Sequence, residues 1–246
     1  MLIAQISDIH ADDEAASLAA MRRALSYLSD LRPDALILSG DLAETPTEYN
    51  YRLVRTMLAG TSFPVFMIPG NADRRAAMCA AFPGHDYWPK SGPMHFAAVL
   101  AAKVRVIGFD ITVEGQSFGD ATAEALDWLG TALQRQPDLP ALIVMHQHPF
   151  ATGIGALDRH MCRNSEGLAD LIGRSGARIA AILCGHGHRA VFTRLGRTPA
   201  MMCPSLCPAN RLHLDGYGEP DITDAPGLLI HHLHEDRMNS HLVSLA

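Results

Sequence analysis

Met1-Leu2-Ile3-Ala4-Gln5-Ile6-Ser7-Asp8-Ile9-His10 is a short apolar run that stops on an acid and, two residues later, an imidazole. It has neither a basic n-region nor a small-residue cleavage site, so Leu2–Ser7 reads as a first strand rather than a signal peptide. The same pattern recurs. Ala35–Ser39 is closed by Gly40-Asp41, and Pro64–Ile68 by Pro69-Gly70-Asn71. Leu142–Met145 runs into His146-Gln147-His148, and Ile179–Cys184 into Gly185-His186-Gly187-His188. Helical spacing separates these runs at Glu14–Leu31, where Leu18, Met21, Leu25 and Leu28 form one stripe, and again at Thr47–Ala59, Asp73–Phe82, Ala121–Gln134 and Glu166–Arg174. His95–Ala101 and Val104–Phe109 read as an antiparallel pair.

Strand–helix alternation predicts parallel crossovers, hence an α/β fold. From Val191 the pattern changes to short β-like segments between Gly/Pro turns: Val191–Leu195, Pro199–Cys203, Arg211–Leu214, Leu228–Leu233 and His241–Leu245. With no internal repeat or linker, residues 1–246 read as one domain, with 190–246 adding antiparallel C-terminal strands.

Composition narrows the function. The 246 residues are 48% hydrophobic with a net charge of −6, which excludes disorder. No apolar run approaches the roughly 20 residues needed to span a bilayer, and no Lys/Arg block suggests a general nucleic-acid binder. Five cysteines at irregular spacing argue against a disulfide framework and for a reducing, cytoplasmic setting. The unusual feature is 13 histidines.

Several of them, with acids and one amide, sit where an open α/β sheet binds ligands, at the C-terminal ends of strands. In Asp-x-His and His-x-His, residues two apart in extended chain share a face and reach one ion or two neighbouring ions. Carboxylates, an amide oxygen and imidazoles together suit two divalent transition-metal ions (Mn, Fe, Zn or Co) rather than calcium. Two such ions with Asp8, Asp41 and a hydroxide leave roughly one positive charge, which attracts a phosphate ester. The expected reaction is metal-assisted phosphoester hydrolysis by a metal-bridging hydroxide.

Asp8-x-His10, Gly40-Asp41, Gly70-Asn71-x-Asp73, His146 and Gly185-His186-x-His188, in that order, resemble the five motifs of the calcineurin-like metallophosphoesterases. His146-Gln-His-Pro-Phe, Leu157-Asp158-Arg159-His160 and Arg163-Asn164 resemble in particular the bacterial class III cyclic-nucleotide phosphodiesterases and related glycerophosphodiesterases. The resemblance implies a four-layer αββα sandwich of two mixed β-sheets flanked by helices, often dimeric. It implies one metal held by Asp8, His10, Asp41 and His188, and a second by bridging Asp41, Asn71, His146 and His186. The resemblance narrows the reaction to phosphodiesters, and cyclic nucleotides, 3′,5′ or 2′,3′, become the expected small-molecule substrates. A phosphomonoesterase or nucleotide pyrophosphatase is the rival on the same site, and a non-catalytic scaffold of the same fold the rival of another kind.

One position departs from the family pattern, which has His after the Gly-Asn where this chain has Ala72. In the family that His is commonly assigned to the leaving group, and a methyl group donates no proton. His148, two residues from His146, is the first candidate to compensate, and His85 and His160 follow. Asn71 and His148 are thus the candidate catalytic groups, with Ala72, Asp158, His160 and Asn164 expected at the substrate or behind the ligands. His231-His232-x-His234 is expected to be a solvated or interface strand, and Cys203-Pro-Ser-Leu-Cys207 lacks the second pair that a zinc site needs. Trp88 and Trp128 are expected to pack.

Overall fold

Two apolar faces per strand require cover on both sides, and the chain supplies it by stacking two sheets between helices. The computed structural model describes residues 1–12, 15–214, 223–234 and 237–245. In chain order the elements are β1 (Leu2–Ile6), α1 (Ala15–Leu31), β2 (Ala35–Leu38), α2 (Glu48–Leu58), β3 (Val65–Met67), α3 (Arg75–Ala81), β4 (Phe96–Leu100) and β5 (Val104–Gly108). There follow α4 (Ala123–Gln134), β6 (Ala141–Val144), α5 (Gly155–Asp158), α6 (Ser165–Arg174), β7 (Ile179–Cys184), β8 (Val191–Leu195) and β9 (Thr198–Met202). The last are β10 (Ala209–Asn210), β11 (Thr223–Asp224), β12 (Gly227–His234) and β13 (Arg237–Ser244).

One large sheet has the order β13-β12-β1-β2-β3 and a second β4-β5-β6-β7-β9-β8, while β10 and β11 form a separate two-stranded antiparallel pair. Parallel pairing runs through β1, β2 and β3, and again through β5, β6, β7 and β9. The β4–β5, β8–β9, β12–β13 and β1–β12 pairs are antiparallel. The C-terminal strands thus extend both sheets.

Alternation along the second sheet sorts its two faces. Val106, Val144, Leu183 and Met201 share a core with Ile3, Ile37 and the buried stripe of α1 (Met21, Ala24, Leu28). Ile107, Ile143, Ile182 and Met202 pack the other way, on Leu129 and Leu133 of α4 and Leu168 and Ile172 of α6. This is a four-layer αββα sandwich. Helix starts are capped as their sequences suggest: the Thr47 hydroxyl accepts from Asn50 N at 3.2 Å, and that of Thr122 from Ala125 N at 3.3 Å. At the other end of α4, where the last carbonyls run out of helical donors, buried Arg105 donates to the carbonyls of Ala132, Leu133 and the C-cap Arg135.

Three expectations need correction. Arg211–Leu214 is not a strand; the ladder stops at Asn210, and Leu212 and Leu214 are 50% and 60% exposed. The third helix starts at Arg75 rather than Asp73, because the Asp73 carboxylate is used by the preceding loop. His231 is not solvated but fully buried, whereas His232 is half-buried and His234 exposed. Glu14, the expected first residue of α1, lies outside the described residues. The tryptophans do pack: Trp88 donates to Met67 O at 3.0 Å, and Trp128 stacks on His95.

Candidate metal centre

All the expected ligands lie beyond the C-terminal ends of β1, β2 and β3 in one sheet and β6 and β7 in the other; parallel pairing aligns the ends within each sheet, and the two sets meet at the same edge of the sandwich. Asp8 Oδ1 is 3.3 Å from His188 Nε2 and 4.0 Å from the Nε2 atoms of both His10 and His146. Asp41 Oδ2 lies between two imidazoles, 3.4 Å from His10 Nε2 and 3.3 Å from His146 Nε2. Asn71 Oδ1 is 3.2 Å from His146 Nε2. The His186 ring stands edge-on to His146 at 5.2 Å, and its backbone N–H donates to both Asp8 oxygens, at 3.1 and 2.9 Å. Seven side chains from five strand ends thus converge, four imidazoles and one amide around two carboxylates.

The backbone carries the cost of this convergence. Asp8, His10, Asp41, His186 and His188 all have positive φ, between 47° and 73°. Non-glycine residues avoid that region, at about 1–3 kcal/mol each, unless their surroundings over-determine it. Here they do: Asp8 N donates to Gly40 O and His10 N to Asp41 O, each at 3.0 Å. Gly40 has φ +100°, and a Cβ there would strike the His146 ring; a Cβ on Gly70 would overlap the Asp41 carboxylate. Only glycine allows the three strand ends to approach so closely.

In three of the four expected imidazole ligands the far ring nitrogen is tied down, as metal-binding imidazoles require. His10 Nδ1 meets Glu44 Oε2 at 2.6 Å, His146 Nδ1 meets Ser39 O at 2.7 Å, and His188 Nδ1 meets Cys207 Sγ at 3.5 Å. Each ring thereby turns Nε2 toward the carboxylates. The buried Nε2 atoms of His10 and His186 have no hydrogen-bond partner among the described residues. Orphaned nitrogens beside two carboxylates fit divalent cations, and Asp8, Asp41 and His146 hold donor atoms all within 4.8 Å of one another.

Electrostatics divides the imidazoles into two kinds. Burial alone would raise the Asp8 and Asp41 carboxyls, but the surrounding imidazoles outweigh it and hold both below the usual range. Burial would lower His146 and His188, yet the carboxylates lift His146 to about 9 and His188 well above its ordinary value. His186 is pushed down to about 3 by burial and by His146, and His148 to about 4, mainly by burial.

Residues expected around the ligands separate. His148 is fully buried and stacks on His186 at 5.8 Å, with Nε2 3.7 Å from Asp158 Oδ1. Asp158 also accepts from Thr152 and Gly153. His160 meets the Ser117 hydroxyl at 2.6 Å. Asn164, at φ 55°, precedes α6 and donates to Ala121 O at 2.8 Å. His85 stacks on Trp88 in an aromatic cluster. Ala72 is partly exposed, and its backbone N–H donates to Asp41 Oδ1 at 2.8 Å.

Sequence reading missed Glu44, Ser39 and Cys207, and it gave Asp73 no role. The buried Asp73 carboxylate accepts from the backbone N–H groups of Leu42, Ala43 and Gly70 and from the Tyr51 hydroxyl. It thereby ties the Asp41 loop to the Asn71 loop. Its place in Gly70-Asn71-x-Asp73 was the available signal. Asp73→Ala orphans those donors and is expected to cost about 2–4 kcal/mol, read as a lower urea midpoint without metal, together with weaker Mn²⁺ binding. Unchanged Mn²⁺ binding would remove Asp73 from the centre's support.

The comparisons agree with this geometry. The family model described as calcineurin-like phosphoesterase matches residues 1–190. A probable glycerophosphodiester phosphodiesterase, GpdQ, of Arcobacter nitrofigilis is 27% identical over 252 residues, covering 96% of this chain and 90% of that protein. A 3′,5′-cyclic adenosine monophosphate phosphodiesterase, CpdA, of Haemophilus influenzae is 29% identical over 220 residues, covering 82% and 75%. A dimetal phosphatase from Danio rerio shares the fold at TM-score 0.70 and 13% identity, over 100% of this chain and 99% of that one. With five ordered motifs meeting at one edge of the sandwich and a family model spanning 1–190, the chain belongs to the calcineurin-like phosphoesterase family.

Proposed function

We propose that this chain is a phosphodiesterase dependent on two divalent metal ions and acting on small phosphodiesters, foremost cyclic nucleotides. The observation that carries this reading is Asp41 Oδ2 lying 3.4 and 3.3 Å from two imidazole nitrogens of different strand ends, the place for a bridging carboxylate. Asp8, His10, Asp41 and His188 would hold one ion, and Asp41, Asn71, His146 and His186 the other. Two cations so held would supply an attacking water acidified to a pKa of about 7 and would neutralise charge building on the phosphoryl oxygens. Relatives named as glycerophosphodiester and cyclic-AMP phosphodiesterases support the diester class.

The protein's own part is orientation. Glu44, Ser39 and Cys207 fix the ring nitrogens that point away from the centre, and the Asn71 amide turns its oxygen inward. His148, buried behind His186, is better placed to hold that ring than to reach a leaving oxygen, so water supplies the leaving-group proton. A substrate with a strained ring, such as a 2′,3′-cyclic phosphate, needs that proton least. Five free cysteines support a reducing compartment, and no helix among the described residues is long and apolar enough to cross a membrane.

A panel of 2′,3′- and 3′,5′-cyclic nucleotides, glycerophosphodiesters and monoesters, run with Mn²⁺ and with chelator, tests this reading. Bis-p-nitrophenyl phosphate should turn over faster than the monoester. The reverse order would favour a phosphomonoesterase, and near-zero metal after remetallation would favour a scaffold.

Ala72→His should raise kcat on 3′,5′-cyclic substrates by about 10–100-fold, the lower part of the range for general acid help. The 2′,3′-cyclic rate should change much less. Equal rates and pH profiles for both isomers in both proteins would show that position 72 plays no part at the leaving group.

A further inference from the structure

Between the sheets, behind the ligands, runs a buried hydrogen-bonded chain that the reaction itself does not use. The Ser240 hydroxyl of β13 is 2.8 Å from His231 Nδ1 on β12, and His231 Nε2 is 3.0 Å from Gln5 Oε1 on β1. Gln5 Nε2 then donates to the Ser39 hydroxyl at 2.8 Å and to Cys184 O at 3.0 Å. The Ser39 carbonyl, in turn, accepts from His146 Nδ1 at 2.7 Å. Gln5, Ser39 and His231 have no solvent exposure.

The polarity of this chain is determined. Cys184 O is acceptor-only, so the Gln5 amide must turn its NH₂ toward it and its oxygen toward His231. His231 therefore carries its hydrogen on Nε2 and accepts from the Ser240 hydroxyl at Nδ1. Burial pushes the His231 imidazole down to about 3, so it stays neutral and the arrangement does not titrate near pH 7. The members also occupy telling places. Gln5 lies three residues before Asp8, Ser39 two before Asp41, and Cys184 two before His186. The Gln5 amide ties the first sheet, at Ser39, to the second, at Cys184.

We propose that Gln5 and His231 form a positioning pair that holds the ligand-bearing ends of the two sheets at the separation the metal centre requires, acting on His146 through Ser39. The proposal rests on the reading of His146 as a metal ligand. A buried Gln left without its imidazole partner has an unsatisfied oxygen and is free to turn, which loosens Ser39 and Cys184 together. Outer partners of metal-binding imidazoles are generally worth about 10–100-fold in affinity.

The experiment compares wild type, His231→Leu and His231→Gln, the last retaining a donor for Gln5 Oε1. In His231→Leu the Mn²⁺ dissociation constant, read by electron paramagnetic resonance, should rise about tenfold. The His146 side-chain ¹⁵N resonances of the metal-free protein should move, and kcat should fall more than KM changes. His231→Gln should restore Mn²⁺ affinity to within about threefold. A lower melting temperature with unchanged Mn²⁺ affinity and unchanged His146 resonances would overturn the proposal, leaving His231 a packing residue. If His231→Leu does not fold, Ser39→Ala decides: it keeps the carbonyl but removes one partner of Gln5, and unaltered Mn²⁺ binding there overturns the pair. A wild-type chain that binds no Mn²⁺ would sink the metal reading instead, and the His146 resonances would still test the pair.

Discussion

Asp41→Asn should lower phosphodiester turnover by about 10³-fold or more and reduce metal content from about two ions per chain to about one or none. Asp41 is the only expected ligand shared by both metal positions, and its Oδ2 stands between His10 and His146 at 3.4 and 3.3 Å. An amide there keeps the shape but removes the negative charge that would offset two neighbouring cations. It also turns an NH₂ group toward one of its partners. Oδ1 is already occupied by the Ala72 N–H at 2.8 Å, so the side chain cannot swing to compensate. Metal analysis beside bis-p-nitrophenyl phosphate kinetics checks the prediction, with a thermal melt to show that the variant is folded. Activity within tenfold of wild type would remove Asp41 from the bridging role.

Mn²⁺ affinity should rise steeply with pH, by about tenfold per unit for each proton displaced, up to about pH 9. A metal ion needs the lone pair of His146 Nε2, and the neighbouring carboxylates keep that nitrogen protonated up to about 9. His188, also lifted by Asp8, presents a second proton to displace. Between pH 6 and 8.5 the gain should exceed about 10²-fold from His146 alone. Stability of the metal-free chain runs the other way. A folded pKa above the unfolded value of about 6.5 gives a contribution fully present below 6.5 and lost as the pH rises through about 9. Mn²⁺ titrations at several pH values, with melts in chelator beside them, should therefore show opposite slopes. PH-independent affinity would mean that these imidazoles are not ligands.

What was legible in the sequence was local. An apolar run ending in Asp8, Asp41 or His186 announces both a strand and the residue at its tip, because both depend on neighbours in the chain. The same locality misled at Arg211–Leu214, where alternation predicts a strand with two faces but cannot supply a sheet to receive it; Leu212 and Leu214 stay exposed. His231 failed in the opposite direction. His231-His232-x-His234 reads as a solvated or interface strand, and only the pairing of β12 against β1 shows that His231 turns inward to Gln5. Glu44, Ser39 and Cys207 were invisible for the same reason, since each is chosen by a ring arriving from a distant segment. Asp73 stood inside a recognised motif, yet its work, joining two loops, exists only after both have folded.

The place of β12 beside β1 has a further consequence. Leu2 pairs with His232, and the Met1 amine donates to Leu233 O across a sequence separation of 232. While a ribosome is still making the chain, the strand that bears Asp8 and His10 has β2 on one flank and nothing yet on the other. Its second neighbour, β12, follows only after every element from α1 to β11. Closure over so long a loop is slow, so a nascent chain can assemble most of its helices and inner strands before β1 gains its second neighbour.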